Sequence, residues 1–189
     1  MRDYHDRRVR KSKSALKQAL MNLLKKRALH QITITDIVAV ADLNRGTFYK
    51  HYQYKEDLLE EMVDDLIADL IISYREPYKT QEEFSLEQLN ASAIKIFDHV
   101  ESYSDFYRIL TQSNILIGIQ NRICSQLIEL MLEVIQKYKV KQIEPELLAS
   151  YQAYAIWGLI MEWIRQDFKY SSVYMSKQLL AILQLKKFT

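Results

Sequence analysis

What most limits the folds open to this chain is how little it contains that can break a helix. Its 189 residues include three glycines and two prolines. β-rich architectures need a turn residue every several positions, because tight turns call for left-handed or proline-fixed backbone. Apolar side chains instead recur at three- and four-residue intervals, so an almost all-helical protein is expected. Hydrophobic residues make up 49% of the chain, enough to form the core of one large domain or two small ones.

Capping signals and periodicity place the helices. Arg2 to Lys13 reads as a polar arm with cations at Arg7, Arg8, Arg10, Lys11 and Lys13. A helix is expected from about Lys13, with Leu16, Leu20, Leu23 and Leu24 on one face. It should close near Arg27 to His30, where Lys25, Lys26 and Arg27 suit the C-terminal dipole. Thr33 is the predicted N-cap of a short helix over 34–41. Asp36 completes a capping box there, and Ile32 with Ile37 forms a hydrophobic staple. Asp42 tolerates the left-handed backbone of a tight turn. Asn44 caps a third helix over 45–52. A fourth runs over 55–75, with Glu56 and Asp57 in its first turn and Pro77 as a stop. Further helices are expected over 86–100, 104–111, 115–138, 146–168 and 173–185. Pro145 suits a helix start, and Ser171-Ser172 can cap the last helix.

Net charge is only +2, but it is unevenly distributed. Residues 1–55 hold 13 Lys/Arg and 4 Asp/Glu, a net of +9; the remainder holds 13 and 20, a net of −7. A basic head on an acidic body suggests that one end meets a polyanion. The segment 33–52 reads as helix, tight turn, helix, the pattern whose second helix enters the DNA major groove. At 100° per residue, Phe48 and Tyr52 share one face of that helix and can pack on Ile37, Val38, Ala41 and Leu43. Gly46, Thr47 and Lys50 lie on the opposite face.

The stretch ITITDIVAVADLNRGTFYKHYQYKEDLL resembles the signature of tetracycline-repressor-like (TetR-family) transcriptional regulators. The shared positions are Thr33, Ile37, Ala41, Leu43, Gly46-Thr47-Phe48-Tyr49, His51, Tyr52, and Lys55 before Leu58, within a match over about residues 10–60. The chain departs from the pattern at Asp42, where the family usually has glycine, and at Tyr54, where it usually has a small capping residue. Asn44 stands where serine is common. By motif position, the resemblance implies that Arg45, Thr47 and Lys50 meet base edges. Tyr49, His51 and Lys55 would meet phosphates, together with Thr33 and Thr35 at a helix N-terminus. Asn44 caps the helix that carries these groups, and Gly46 presents no side chain to obstruct approach. Arg7, Arg8, Arg10 and Lys11 would follow the DNA backbone or enter the minor groove.

The resulting expectation is an N-terminal three-helix helix-turn-helix domain over 1–55 and a larger helical ligand-binding and dimerisation domain over 56–189. The helix over 146–168 is apolar on nearly every face from Ala153 to Met161, so it must be covered all round. The family resemblance implies a dimer through the last two long helices, with Leu148, Tyr151, Ala155, Gly158, Leu159, Leu179, Leu180 and Leu183 as interface candidates. A two-fold dimer would read a near-palindromic operator. The resemblance also implies a small-molecule pocket, with Phe97, Tyr103, Phe106, Tyr107, Tyr154 and Trp157 as candidate walls; ordinary aromatic core is the competing reading of each.

Catalysis is not expected. His5, His30, His51 and His99 lack metal-ligand spacing, and there is no glycine-rich phosphate loop or nucleophile elbow. No cofactor or metal is expected. Cys124, the only cysteine, reads as inert core. The longest apolar run, 153–161, is far short of the roughly 20 residues of a membrane span, and the N-terminus lacks a signal-peptide pattern. A cytoplasmic, ligand-responsive repressor with an operator, a second copy of itself and an effector as partners is the leading expectation. The rival is a co-regulator of the same family that acts through a protein partner or small ligand and not by direct operator binding.

Overall fold

The computed structural model describes residues 2–76, 95–111, 116–138 and 143–185, and among them every regular element is helical. The chain forms two compact units, residues 1–65 and 66–189, and passes from one to the other within a single helix.

In the first unit α1 spans Arg2–Leu24. The segment expected as an arm is therefore helical. Nothing from Arg2 to Leu24 is glycine or proline, and arginine and lysine are good helix formers. The helix buries Leu16, Ala19, Leu20 and Leu23. It stops earlier than expected, at Leu24, where the amides of Lys26 and Arg27 both donate to the Leu23 carbonyl. A short 3-10 turn at Leu29–Gln31 leads to α2, Ile34–Val40. Thr33 caps α2 as expected: its Oγ1 accepts from the Asp36 amide at 3.1 Å, while Asp36 Oδ2 accepts from the Thr33 amide at 2.9 Å.

The turn after α2 has a definite mechanism. The Leu43 amide donates to the Val38 carbonyl at 2.9 Å and the Asp42 amide to Ala39 at 3.3 Å. This is a Schellman closure, which needs a left-handed residue after the helix. Asp42 supplies it at φ 53. Left-handed backbone strains a residue with a Cβ, though aspartate less than most. Asp42→Gly is accordingly expected to stabilise the first unit by up to about 1 kcal/mol, read as a higher urea midpoint at unchanged slope. A lower midpoint would mean that the aspartate side chain contributes more than the strain costs.

α3 spans Arg45–Tyr49, shorter than expected, and the chain continues through turns to Tyr52. α4 spans Lys55–Arg75. Its first turns bury Leu58, Leu59, Met62 and Val63. Glu61 accepts from Lys13 at 2.7 Å and pairs with Lys17 at 2.6 Å. These ties bind the start of α4 to α1, and the first compact unit runs to Asp65. Burial would raise the Glu61 carboxyl, but the two lysines outweigh it and hold it at about 2. The link is thus complete above the ordinary carboxylate pKa of 4.5 and is lost as the pH falls toward 2.

The second unit contains the rest of α4, α5 over 95–102, α6 at Ser104–Thr111, α7 at Leu116–Tyr138, α8 at Pro145–Arg165 and α9 at Ser172–Leu185. Residues 77–94, which include Pro77 and the start of the helix expected over 86–100, lie outside the described residues. α7 and α8 pack together more extensively than any other pair. Pro145 occupies the first turn of α8, where its missing N–H costs nothing. That helix buries Ala149, Ala153, Ile156, Trp157, Ile160, Trp163 and Ile164. It closes with a second Schellman pattern, the Phe168 amide on the Trp163 carbonyl and the Asp167 amide on Ile164. Asp167 and Phe168 are both left-handed, at φ 53 and 55. Arg108 of α6 holds this corner. Its Nε donates to Asp167 at 2.8 Å, and its guanidinium lies 4.7 Å from the Phe168 ring centre.

Candidate nucleic-acid interface

The short α3 is divided by face, for reasons visible in its cap. Asn44 Oδ1 accepts from the Thr47 amide at 2.8 Å and from the Thr47 hydroxyl at 3.1 Å. That cap fixes where the helix starts and so which side chains turn inward. Phe48 is fully buried, with its ring 5.6 Å from that of buried Tyr52. Asn44, Arg45, Gly46, Tyr49 and Lys50 are exposed, and Thr47 is half-buried. Gly46 has a constraint beyond open approach. A Cβ there would sit 3.2 Å from Asn44 Oδ1 and press on the cap.

Arg45 and Tyr49, one turn apart, form a pair. An Arg45 guanidinium N–H donates to the Tyr49 hydroxyl at 3.1 Å, and the cation lies 5.8 Å from the ring centre. Their four-residue spacing, which makes helical side chains neighbours, was the available sequence signal. His51 is half-buried. Burial pushes its imidazole below the usual range, and Lys13 and Lys50 add to the effect. In the DNA-free protein this favours the uncharged ring, which can still give a phosphate a hydrogen bond. Thr33 and Thr35 are exposed at the start of α2, but the Thr33 hydroxyl already donates to Asp36 at 2.8 Å. Arg7, Arg8, Arg10 and Lys11 are exposed along α1.

Lys55 is separated from this set. Its ammonium donates to the carbonyls of Leu29 at 2.9 Å and Ile32 at 2.7 Å. It closes the segment between α1 and α2 from within, so folding alone accounts for a lysine at this motif position. Tyr54 fails to cap α4 with its own side chain. Asp57 does so from inside the helix, its Oδ2 accepting from the amides of Gln53 at 2.9 Å and Tyr54 at 2.8 Å.

In the second unit, Phe97, Phe106, Tyr107 and Trp157 are buried, whereas Tyr103 and Tyr154 are exposed. Tyr154 belongs to a different surface from the candidate pocket walls. With Leu147, Tyr151, Ala155 and Gly158 it forms one exposed stripe along α8, at helical spacing. Leu147 is 68% exposed and Tyr151 52%. Of the other interface candidates, Leu148, Leu159 and Leu180 are half-buried. Leu179 is core, which removes it from the surface. The Leu183 side chain lies outside the described residues. Exposed Val173, Tyr174 and Ile182 extend apolar surface onto α9. Within one chain α8 is therefore covered on one side and carries exposed apolar residues on the other. Cys124 is buried, which pushes its thiol up to about 11. Among the described residues no group of His, Cys, Asp and Glu could hold a metal ion, and no helix is long and apolar enough to cross a membrane.

Comparison with known proteins agrees with this architecture. The chain is similar to a dhaKLM operon transcriptional activator, DhaS, of Lactococcus lactis, with 27% identity over 176 residues covering 90% of this chain and 89% of that protein. It is also similar to YxbF, an uncharacterised HTH-type transcriptional regulator of Bacillus subtilis, with 38% identity over 84 residues. That match covers 44% of this chain and only 22% of YxbF. Among solved structures, FadR of Bacillus subtilis in complex with stearoyl-CoA has the same fold, with a TM-score of 0.69 at 22% identity over 90% of this chain and 96% of that one. Residues 87–185, more than half the chain, match the family described as transcriptional regulator C-terminal region. Residues 16–62, which carry α2, its left-handed turn and α3, match the bacterial regulatory proteins of the tetR family, and it is to this family of transcriptional regulators that the chain belongs.

Proposed function

We propose that the protein is a homodimeric, ligand-responsive regulator that binds a near-palindromic operator through α3. The observation that carries this reading is the outer face of α3. Arg45, Gly46, Tyr49 and Lys50 stand exposed on a helix whose inner face is anchored by Phe48. Arg45 and Lys50, with the methyl group of Thr47, suit base edges, and Tyr49 and neutral His51 suit phosphates. Homodimerisation is supported by the exposed apolar stripe of α8, since contiguous exposed apolar surface marks interaction faces. Ligand response is supported by the FadR likeness, a fold found with stearoyl-CoA.

The test is operator binding as a function of salt. A dimer neutralising six to ten phosphates should lose roughly 10³–10⁵-fold in affinity between 50 and 200 mM salt. Lys50→Ala should weaken binding by about 1–3 kcal/mol, with base preference relaxed at one position in each half-site. Unchanged helicity and dimerisation would show that the loss is one of contact. A flat salt response from the intact protein would refute the DNA reading and leave the co-regulator reading in place.

Repression, by occupying a promoter, is the effect we assign. The resemblance to DhaS, named as an activator, is the one observation that favours activation. In vitro transcription from the bound promoter separates the two by sign.

A further inference from the structure

His99 is the buried polar group that the fold leaves incomplete. Its side chain is 0% exposed. Nδ1 lies 3.0 Å from Asp69 Oδ2 on α4, so Nδ1 carries the proton that the carboxylate accepts. In the neutral ring this makes Nε2 an acceptor. Nε2 is buried and has no hydrogen-bond partner. Burial lowers the imidazole's affinity for a second proton, and Asp69 only partly offsets this, so the neutral, accepting form prevails at neutral pH. Buried acceptors are almost always paired, and an unpaired one asks what partner is missing.

The surroundings describe that partner. The Tyr103 ring lies over the imidazole at 4.8 Å, and the fully buried Tyr107 meets it edge-on at 6.1 Å. Tyr103 sits exposed at the turn between α5 and α6, so His99 lies beneath a ring that borders solvent. The site is thus aromatic, uncharged at its acceptor, and held in one tautomer by Asp69.

We propose that His99 Nε2 is the polar anchor of a small-molecule site in the second unit, and that this site takes a neutral molecule with an apolar body and one hydroxyl or N–H donor. This rests on the ligand-responsive reading above and narrows it to a chemical class. An anion is disfavoured, because the accepting nitrogen would repel it; a pure hydrocarbon would leave Nε2 unpaired. Asp69 acts as a positioning residue, fixing which nitrogen accepts.

Phenol and toluene, nearly equal in shape, separate donor from body. With the full-length protein labelled with ¹⁵N-histidine, phenol should shift the His99 Nε2 resonance and toluene should not. Phenol should bind roughly 10-fold more tightly than toluene by calorimetry. His99→Phe should abolish that preference, and His99→Gln, whose amide oxygen also accepts, should restore part of it. Should His99→Phe not fold, the wild-type and glutamine titrations decide. Equal binding of the two probes, failure of both to bind, or an Nε2 signal that phenol leaves unmoved because water holds the site would each overturn the proposal. Operator binding, followed in parallel, keeps the two readings apart. A phenol-responsive His99 with unchanged operator affinity upholds the site and defeats ligand response. Operator release by a donor-free compound, with His99 silent, does the reverse.

Discussion

Gly158→Lys is expected to leave each chain folded, to make it monomeric, and to weaken operator binding by roughly 10²–10⁴-fold. A Cβ at Gly158 meets nothing within 4 Å, so the monomer has room for the longer side chain. Lysine is also a better helix former than glycine. The exposed stripe of Leu147, Tyr151, Tyr154 and Ala155 leads to this position along α8. If two copies meet there about a two-fold axis, each interface receives two lysines whose charges are desolvated together. Losing the dimer turns simultaneous engagement of two half-sites into two independent events, which is the source of the estimated loss. Sedimentation, far-ultraviolet circular dichroism and gel shift read the three outcomes. A variant that stays dimeric would assign the interface to another face. A monomer with full operator affinity would mean that one half-site suffices.

Phe48→Ala has the other large effect, in the opposite place. It should destabilise the first unit by about 3–5 kcal/mol, a large share of the 5–15 kcal/mol typical of whole domains. Phe48 is fully buried, and its ring meets those of Tyr49 at 5.7 Å and Tyr52 at 5.6 Å. Residues 1–65 form a small unit, and among its described residues only Phe48 and Tyr52 are buried aromatics. Exposed Tyr49 is the control: Tyr49→Ala should weaken DNA binding with the unit intact. Hydrogen exchange of the α2 and α3 amides separates the cases. Protection that survives Phe48→Ala unchanged would show that α3 is held by its caps alone.

Much of this was legible in the sequence wherever the deciding interaction is local. Thr33 with Asp36, Asn44 with Thr47, and the split of Phe48 from Lys50 all follow from spacings of two to four residues, which a helix converts directly into geometry. The left-handed Asp42 was legible for the same reason. What spacing could not reveal is contact across the fold. Lys55 reaches carbonyls at Leu29 and Ile32, far back in the chain. Tyr154 and Leu179 sit on helices apolar enough to read as buried on any side, and only packing determines which side is free. His99 had no sequence signal, since its partner Asp69 lies on another helix and its significance is an atom left without a bond.

The Arg45–Tyr49 pair affects how quickly and how long any complex lasts. A free arginine surrenders rotamer entropy when it docks, about 0.5–1.5 kcal/mol for such a side chain. Here the guanidinium is already tethered to the Tyr49 hydroxyl and rests near its ring, so that ordering precedes the encounter. A preordered fork discriminates through how tightly it holds once seated, and differences between correct and incorrect sequences should therefore appear as residence times, with arrival rates nearly alike.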